Sequence, residues 1–200
     1  MKKFFVIATI CALSAAAADD KAKSSDKKPA GMGMMPPKPS PEARQLRDLV
    51  GTWKATDTFE KTEMMPAGEG ASTQTITLGP GGYSVVMNIK GTEGPMSGFR
   101  AIGVLSWNPD EKAYKMGWVD SMMPGLNVGT GHKDGNDLVI TSELKMGGKT
   151  YKTKDVMSDW TPTSYTLTSY MDDGTGEKKT MTLKAVKEAP AAKTSKPESK

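Results

Sequence analysis

The chain has 200 residues, 36% hydrophobic and 25% charged, with a formal net charge of +4 and one cysteine, Cys11. That size suits a single domain with extensions, and one cysteine excludes an internal disulfide or a cysteine-built zinc site. Residues 42–186 hold 16 basic and 18 acidic residues, so the basicity belongs to the two ends and no nucleic-acid-binding surface is expected.

Lys2 and Lys3, the apolar stretch 4–13 and the small residues Ser14 to Ala18 follow the order of a secretory signal peptide over residues 1–18. The apolar stretch is about half the ~20 residues that cross a bilayer, so no transmembrane segment is expected. Cys11 follows Ile10 rather than a small residue, which argues against a lipid anchor. Cleavage after Ala17 or Ala18 predicts an exported chain, periplasmic or secreted, without a thiol. Residues 19–40 are rich in Lys, Pro, Gly and Ser without apolar periodicity and read as a disordered linker; residues 187–200 read as a disordered tail. The lysines of these ends suit weak contact with an anionic envelope surface.

The folded domain is expected over residues 41–186. Ser40 as N-cap, Pro41 at the first helical position and Glu42 beside it open a short helix. Leu46, Leu49 and Val50 form its apolar face, and Gly51 reads as its terminating glycine. Strands are then predicted at 52–59, 71–78, 83–90, 99–107, 113–120, 126–132, 137–143, 150–159, 164–171 and 178–186. Turn formers such as Gly79-Pro80-Gly81-Gly82, Asp134-Gly135-Asn136 and Asp172-Asp173-Gly174 separate them. Short strands with tight turns predict an all-β antiparallel meander, closed as a barrel or folded as a sandwich. Closure is preferred because it leaves no exposed edge. The fold expected is therefore an up-and-down barrel of about ten strands with the helix closing one end. Alternation assigns Tyr83, Val85, Met87 and Ile89, then Tyr114, Met116 and Trp118, then Tyr165, Leu167 and Met171 to the interior. The strand 99–107 is apolar on both faces and its direction stays open.

The opening Pro41-Glu42, Leu46 and Leu49-Val50-Gly51-Thr52-Trp53 resembles the start of domain-of-unknown-function family 1579. The likeness continues through Gly81-Gly82-Tyr83, Gly103, Trp118-Val119-Asp120-Ser121-Met122, Gly129-Thr130-Gly131, Lys154-Asp155-Val156 and the segment from Asp172 to Lys178. It thus spans nearly all of residues 41–185. The chain departs from the family pattern at Ala43, where a His is expected, and at Trp107, where a Tyr is. The resemblance implies a small, often exported bacterial protein of lipocalin-like (calycin) build, and it implies no activity.

Trp53 reads as the floor of the barrel against the helix. Trp118 and Asp120 share a face, which sets a carboxylate beside an indole; a buried aspartate needs a partner, and Arg100 or Thr153 could serve. Asp155 shares a face with Tyr151, Thr153 and Met157. His132, the single histidine, sits at a strand end and is expected to be exposed, so no haem is expected. Neither a catalytic motif nor a cofactor motif is found, and no enzyme is expected. Fifteen methionines are many: they suit an adaptable interior, while Met32, Met34 and Met35 have no core to fill and suggest Cu(I) or Ag(I) binding as an alternative. A further alternative is an envelope-associated interaction protein that takes no small ligand. The leading expectation is a binding module for a small apolar or amphipathic molecule. Met87, Arg100, Tyr114, Met116, Trp118, Asp120 and Asp155 would line its interior or rim.

Overall fold

The computed structural model describes residues 38–63 and 65–189. The expected signal peptide, most of the expected linker with Met32, Met34 and Met35, and the expected tail from residue 190 lie outside the described residues.

The described chain begins with α1 (Pro41–Gln45), continues as a tighter 3-10 turn over Leu46–Leu49, and then enters the strands. Ser40 caps α1, its hydroxyl accepting the Ala43 amide at 3.3 Å. The helix is shorter than expected because its last turn tightens. A 3-10 turn stacks residues three apart on one line, and Ala43, Leu46 and Leu49, so spaced, are all buried. Gly51 is the first residue past the helix cap. Val50, in extended conformation, is that cap, and Gly51 opens the first strand with a φ of 145°.

Ten strands follow: β1 (Gly51–Phe59), β2 (Gly68–Leu78), β3 (Ser84–Glu93), β4 (Arg100–Asn108), β5 (Ala113–Asp120), β6 (Asn127–Asp134), β7 (Asp137–Met146), β8 (Lys149–Ser158), β9 (Ser164–Asp172) and β10 (Glu177–Lys187). Each pairs antiparallel with the next, and β1 pairs with β10, so the meander is a closed barrel rather than a sandwich. Closure gives every strand two partners and leaves no edge exposed. Tyr83 falls in the turn before β3, and Leu126 in the loop before β6, where it is 67% exposed. In β4 the open question of direction is resolved: Ala101 and Leu105 face in and are buried, while Ile102 and Val104 face out.

One end of the barrel is a packed floor. Trp53, Val85, Leu105, Tyr114, Leu138 and Ala185 cluster there with Leu46 and Leu49 from the helical segment. The Trp53 indole donates to the Leu49 carbonyl at 2.8 Å, which fastens the helix across the barrel end. Lys187 closes the seam: it pairs with Trp53, its ammonium lies 4.6 Å from the Trp53 ring, and it donates to the Asp48 carbonyl at 2.6 Å. The domain thus extends past residue 186, and Glu188 continues it with an ion pair to Lys54 at 3.0 Å.

Candidate functional site

Inward-facing side chains change character along the barrel axis. At the floor they are buried. Beyond it, on β5 and β8–β10, inward positions are half-buried: Met116 and Trp118, Thr153 and Asp155, Leu167, Ser169 and Met171, and Met181, while Tyr151, one inward position past Thr153, is buried again. A side chain that faces the inside of a closed barrel and still meets solvent lines a hollow. The wall of β1–β3, which joins β10 to β4, is tighter, with Asp57, Phe59, Ser72, Gln74 and Met87 all buried.

The apolar part of the hollow is built on β3, β4 and β5. Gly103 is in register with Met87 on one side and Trp118 on the other. A Cβ at Gly103 would stand 2.7 Å from Met87 Cε and 3.0 Å from Trp118 Cε3, so its missing side chain lets the indole and the thioether lie over the wall. The Trp118 indole donates to Asp120 Oδ2 at 2.9 Å, and Asp120 Oδ1 accepts the amides of Met122 and Met123 at 2.8 and 2.9 Å. Asp120 is thereby committed to holding the indole and the loop 121–126.

The polar part has two clusters. In the first, Tyr165 donates to Gln74 Oε1 at 2.5 Å, and Ser72 donates to Asp57 Oδ1 at 3.4 Å. Asp57 is fully buried and its Oδ2 has no partner. Burial pushes its carboxyl above the ordinary range, opposed by the Ser72 hydroxyl. Burial likewise raises the Tyr165 phenol, so it stays a donor. In the second cluster, Ser169 donates to Asp155 Oδ1 at 2.5 Å, and Ser142 and Thr153 share a hydrogen bond of 2.6 Å. Burial raises the Asp155 carboxyl as well, against the Ser169 bond.

The structure places Met87 on β3 and Met116, Trp118 and Asp120 on β5, either side of β4, and it sets Asp155 inward on β8. Tyr114 is drawn into the floor, 1% exposed and edge-on to Trp107 at 4.9 Å. Arg100 is a correction. It is exposed at the start of β4 and donates to the neighbouring Phe99 carbonyl at 2.8 Å, because its position in β4 faces outward. Neither Arg100 nor Thr153 pairs with Asp120; Trp118 and two backbone amides do. Asp57, Ser72, Gln74, Ser142 and Ser169 are inward polar residues beyond those read from the sequence. Asp57 was open to such a reading, since it shares the parity of Trp53 in β1. Among the described residues no group of three or more His, Cys, Asp and Glu is placed to hold a metal ion, and no helix is long and apolar enough to cross a membrane.

A groove of about 720 Å³ also runs over the outer face of β2–β5, between Thr73, Asn88, Lys90, Ile102 and Val119. It is open to water along its length, whereas small-molecule sites enclose most of their ligand. The inner wall is therefore the better candidate.

A family model described as "Protein of unknown function (DUF1579)" matches residues 38–187, and the chain belongs to that family. No curated protein matches the sequence. Among solved structures, Rv2717c from M. tuberculosis is similar with a TM-score of 0.51 and 11% identity, covering 76% of this chain and 99% of its own. The S-type phycobiliprotein lyase CPES from Guillardia theta has a TM-score of 0.47 and 15% identity, covering 72% of this chain and 91% of its own. At these identities the likeness is one of fold.

Proposed function

We propose that this DUF1579 protein is an exported carrier that holds a small amphipathic molecule inside its barrel and catalyses no reaction on it. The observation that carries the reading is the graded inner wall: a sealed floor at Trp53, Leu46 and Leu49, then half-buried Met116, Trp118, Leu167, Met171 and Met181 beside the Asp155–Ser169 pair. Methionine and tryptophan offer adaptable apolar contact, and a few fixed polar groups give orientation, the usual balance of a ligand pocket. Absence of chemistry is argued from Asp120, whose carboxyl is taken up by the indole and two amides.

Trp118 supplies the assay. Titration of the full chain with decanol, followed by tryptophan fluorescence, is expected to saturate, and Met171→Trp is expected to abolish the response by filling the hollow. Linear, non-saturating change in the wild type removes the reading. Export is tested by recovering the chain outside the cytoplasm with a new N-terminus after Ala17 or Ala18.

A further inference from the structure

Resting on the reading that the barrel carries a ligand, the geometry points to a cationic amphiphile, with a protonated amine held at the Asp155 carboxylate and an apolar body along Met116, Trp118, Leu167 and Met171. The charge balance of the wall carries this. Asp57 and Asp155 both face inward, and no Lys, Arg or His is in register with either: their partners are Leu183 and Gly70, and Ile140 and Ser169. Lys178, opposite the inward Met171 at the rim, is turned to Asp173 at 3.7 Å. On β8, Lys152 and Lys154 face outward, and Lys154 pairs with Glu177 at 2.5 Å and lies 4.5 Å from the Tyr170 ring. A carboxylate in such surroundings requires an opposite charge or a full set of hydrogen bonds. Neither aspartate has one. Asp57 Oδ2 is buried without a partner, and Asp155 is held at Oδ1 by Ser169 alone.

Of the two, Asp155 is the reachable group, since Asp57 is 0% exposed and Asp155 is half-buried. It stands one inward position from the floor residue Met157 and one from Thr153 on the rim side. A head group at Asp155 therefore also meets the Ser142–Thr153 hydroxyls, while the body extends past Met171. An ammonium offers up to about three hydrogen-bond donors and the missing positive charge. An anionic amphiphile would bring a second negative charge against Asp155, which the wall does nothing to offset. Because burial raises the Asp155 carboxyl, amine binding weakens as pH falls through that raised value.

The test compares decylamine, decanol and decanoate, each titrated calorimetrically into the full chain at neutral pH, with wild type and Asp155→Asn. The expected order is amine first, about tenfold or more above decanol, with decanoate weakest. Asp155→Asn is expected to remove the advantage of the amine over decanol. Decanol or decanoate binding as well as the amine overturns the cationic assignment and leaves the carrier reading standing. Binding of none of the three removes the carrier reading itself, and this inference with it. The order of the probes on the wild-type chain decides even if the variant does not fold.

Discussion

The Tyr165 hydroxyl donates to Gln74 Oε1 at 2.5 Å, joining β9 to β2 across two intervening strands. Its path is open because the inward residues in register on those strands are Ala185 and Ala55. The ring stands edge-on to Trp53 at 5.0 Å, so the same tyrosine serves floor packing and the polar layer above it. Removing the hydroxyl leaves a buried amide oxygen without its donor. Tyr165→Phe is expected to cost about 1–3 kcal/mol in urea unfolding. Ala55→Leu is expected to cost a similar ~1–3 kcal/mol by overpacking the same path.

Asp57 makes the opposite prediction. Burial raises its carboxyl, the Ser72 hydroxyl only partly opposing this. A carboxyl whose folded pKa lies above its unfolded one keeps, when folded, a proton that the unfolded chain has lost. Its charge therefore burdens the fold above the folded value and is absent below the unfolded one. Asp57→Asn is expected to stabilise the protein near neutral pH, with the gain disappearing below about pH 4. Thermal melts of both chains from acid to neutral pH check the sign.

Two glycines on adjacent strands separate tight from open wall. A Cβ at Gly103 meets Met87 and Trp118 within 3.0 Å, whereas one at Gly117 meets only Leu126 Cδ1 at 3.7 Å. Gly103→Ala is expected to displace the indole, shift tryptophan emission and cost about 1–3 kcal/mol. Gly117→Ala is expected to be neutral or to gain up to ~1 kcal/mol, since alanine loses less chain entropy on folding. Equal behaviour of the two variants contradicts the described packing.

Asp120 is expected to act as a brace. Asp120→Ala removes the acceptor of the Trp118 indole and of the Met122 and Met123 amides. Amide hydrogen exchange at Met122 and Met123 should accelerate by an order of magnitude or more, with the barrel amides little changed.

Much of the barrel was legible because its signals are local. Period-two alternation marks the inward faces of β3, β5 and β9, and turn-forming residues mark the strand ends. Gly51 was legible as well: it stands directly after the cap residue Val50 with a positive φ, where a glycine marks the end of a helix. Arg100 misled because a strand apolar on both faces gives no parity, and only the pairing of β4 with β3 and β5 sets it. The Tyr165–Gln74 link lies beyond local reading altogether. Its partners are 91 residues apart, and their meeting depends on the register of two strands between them. Asp57 is the instructive miss, since the alternation Trp53, Ala55, Asp57, Phe59 marks it as inward without any structure.

A carrier holds its small molecule inside the barrel through purification. Native mass spectrometry of the protein, purified from the cells that make it without detergent or organic solvent, tests this most directly. A carrier gives a reproducible extra mass that disappears on denaturation and is reduced in Met171→Trp. A bare chain mass for the wild type under the same gentle conditions contradicts it.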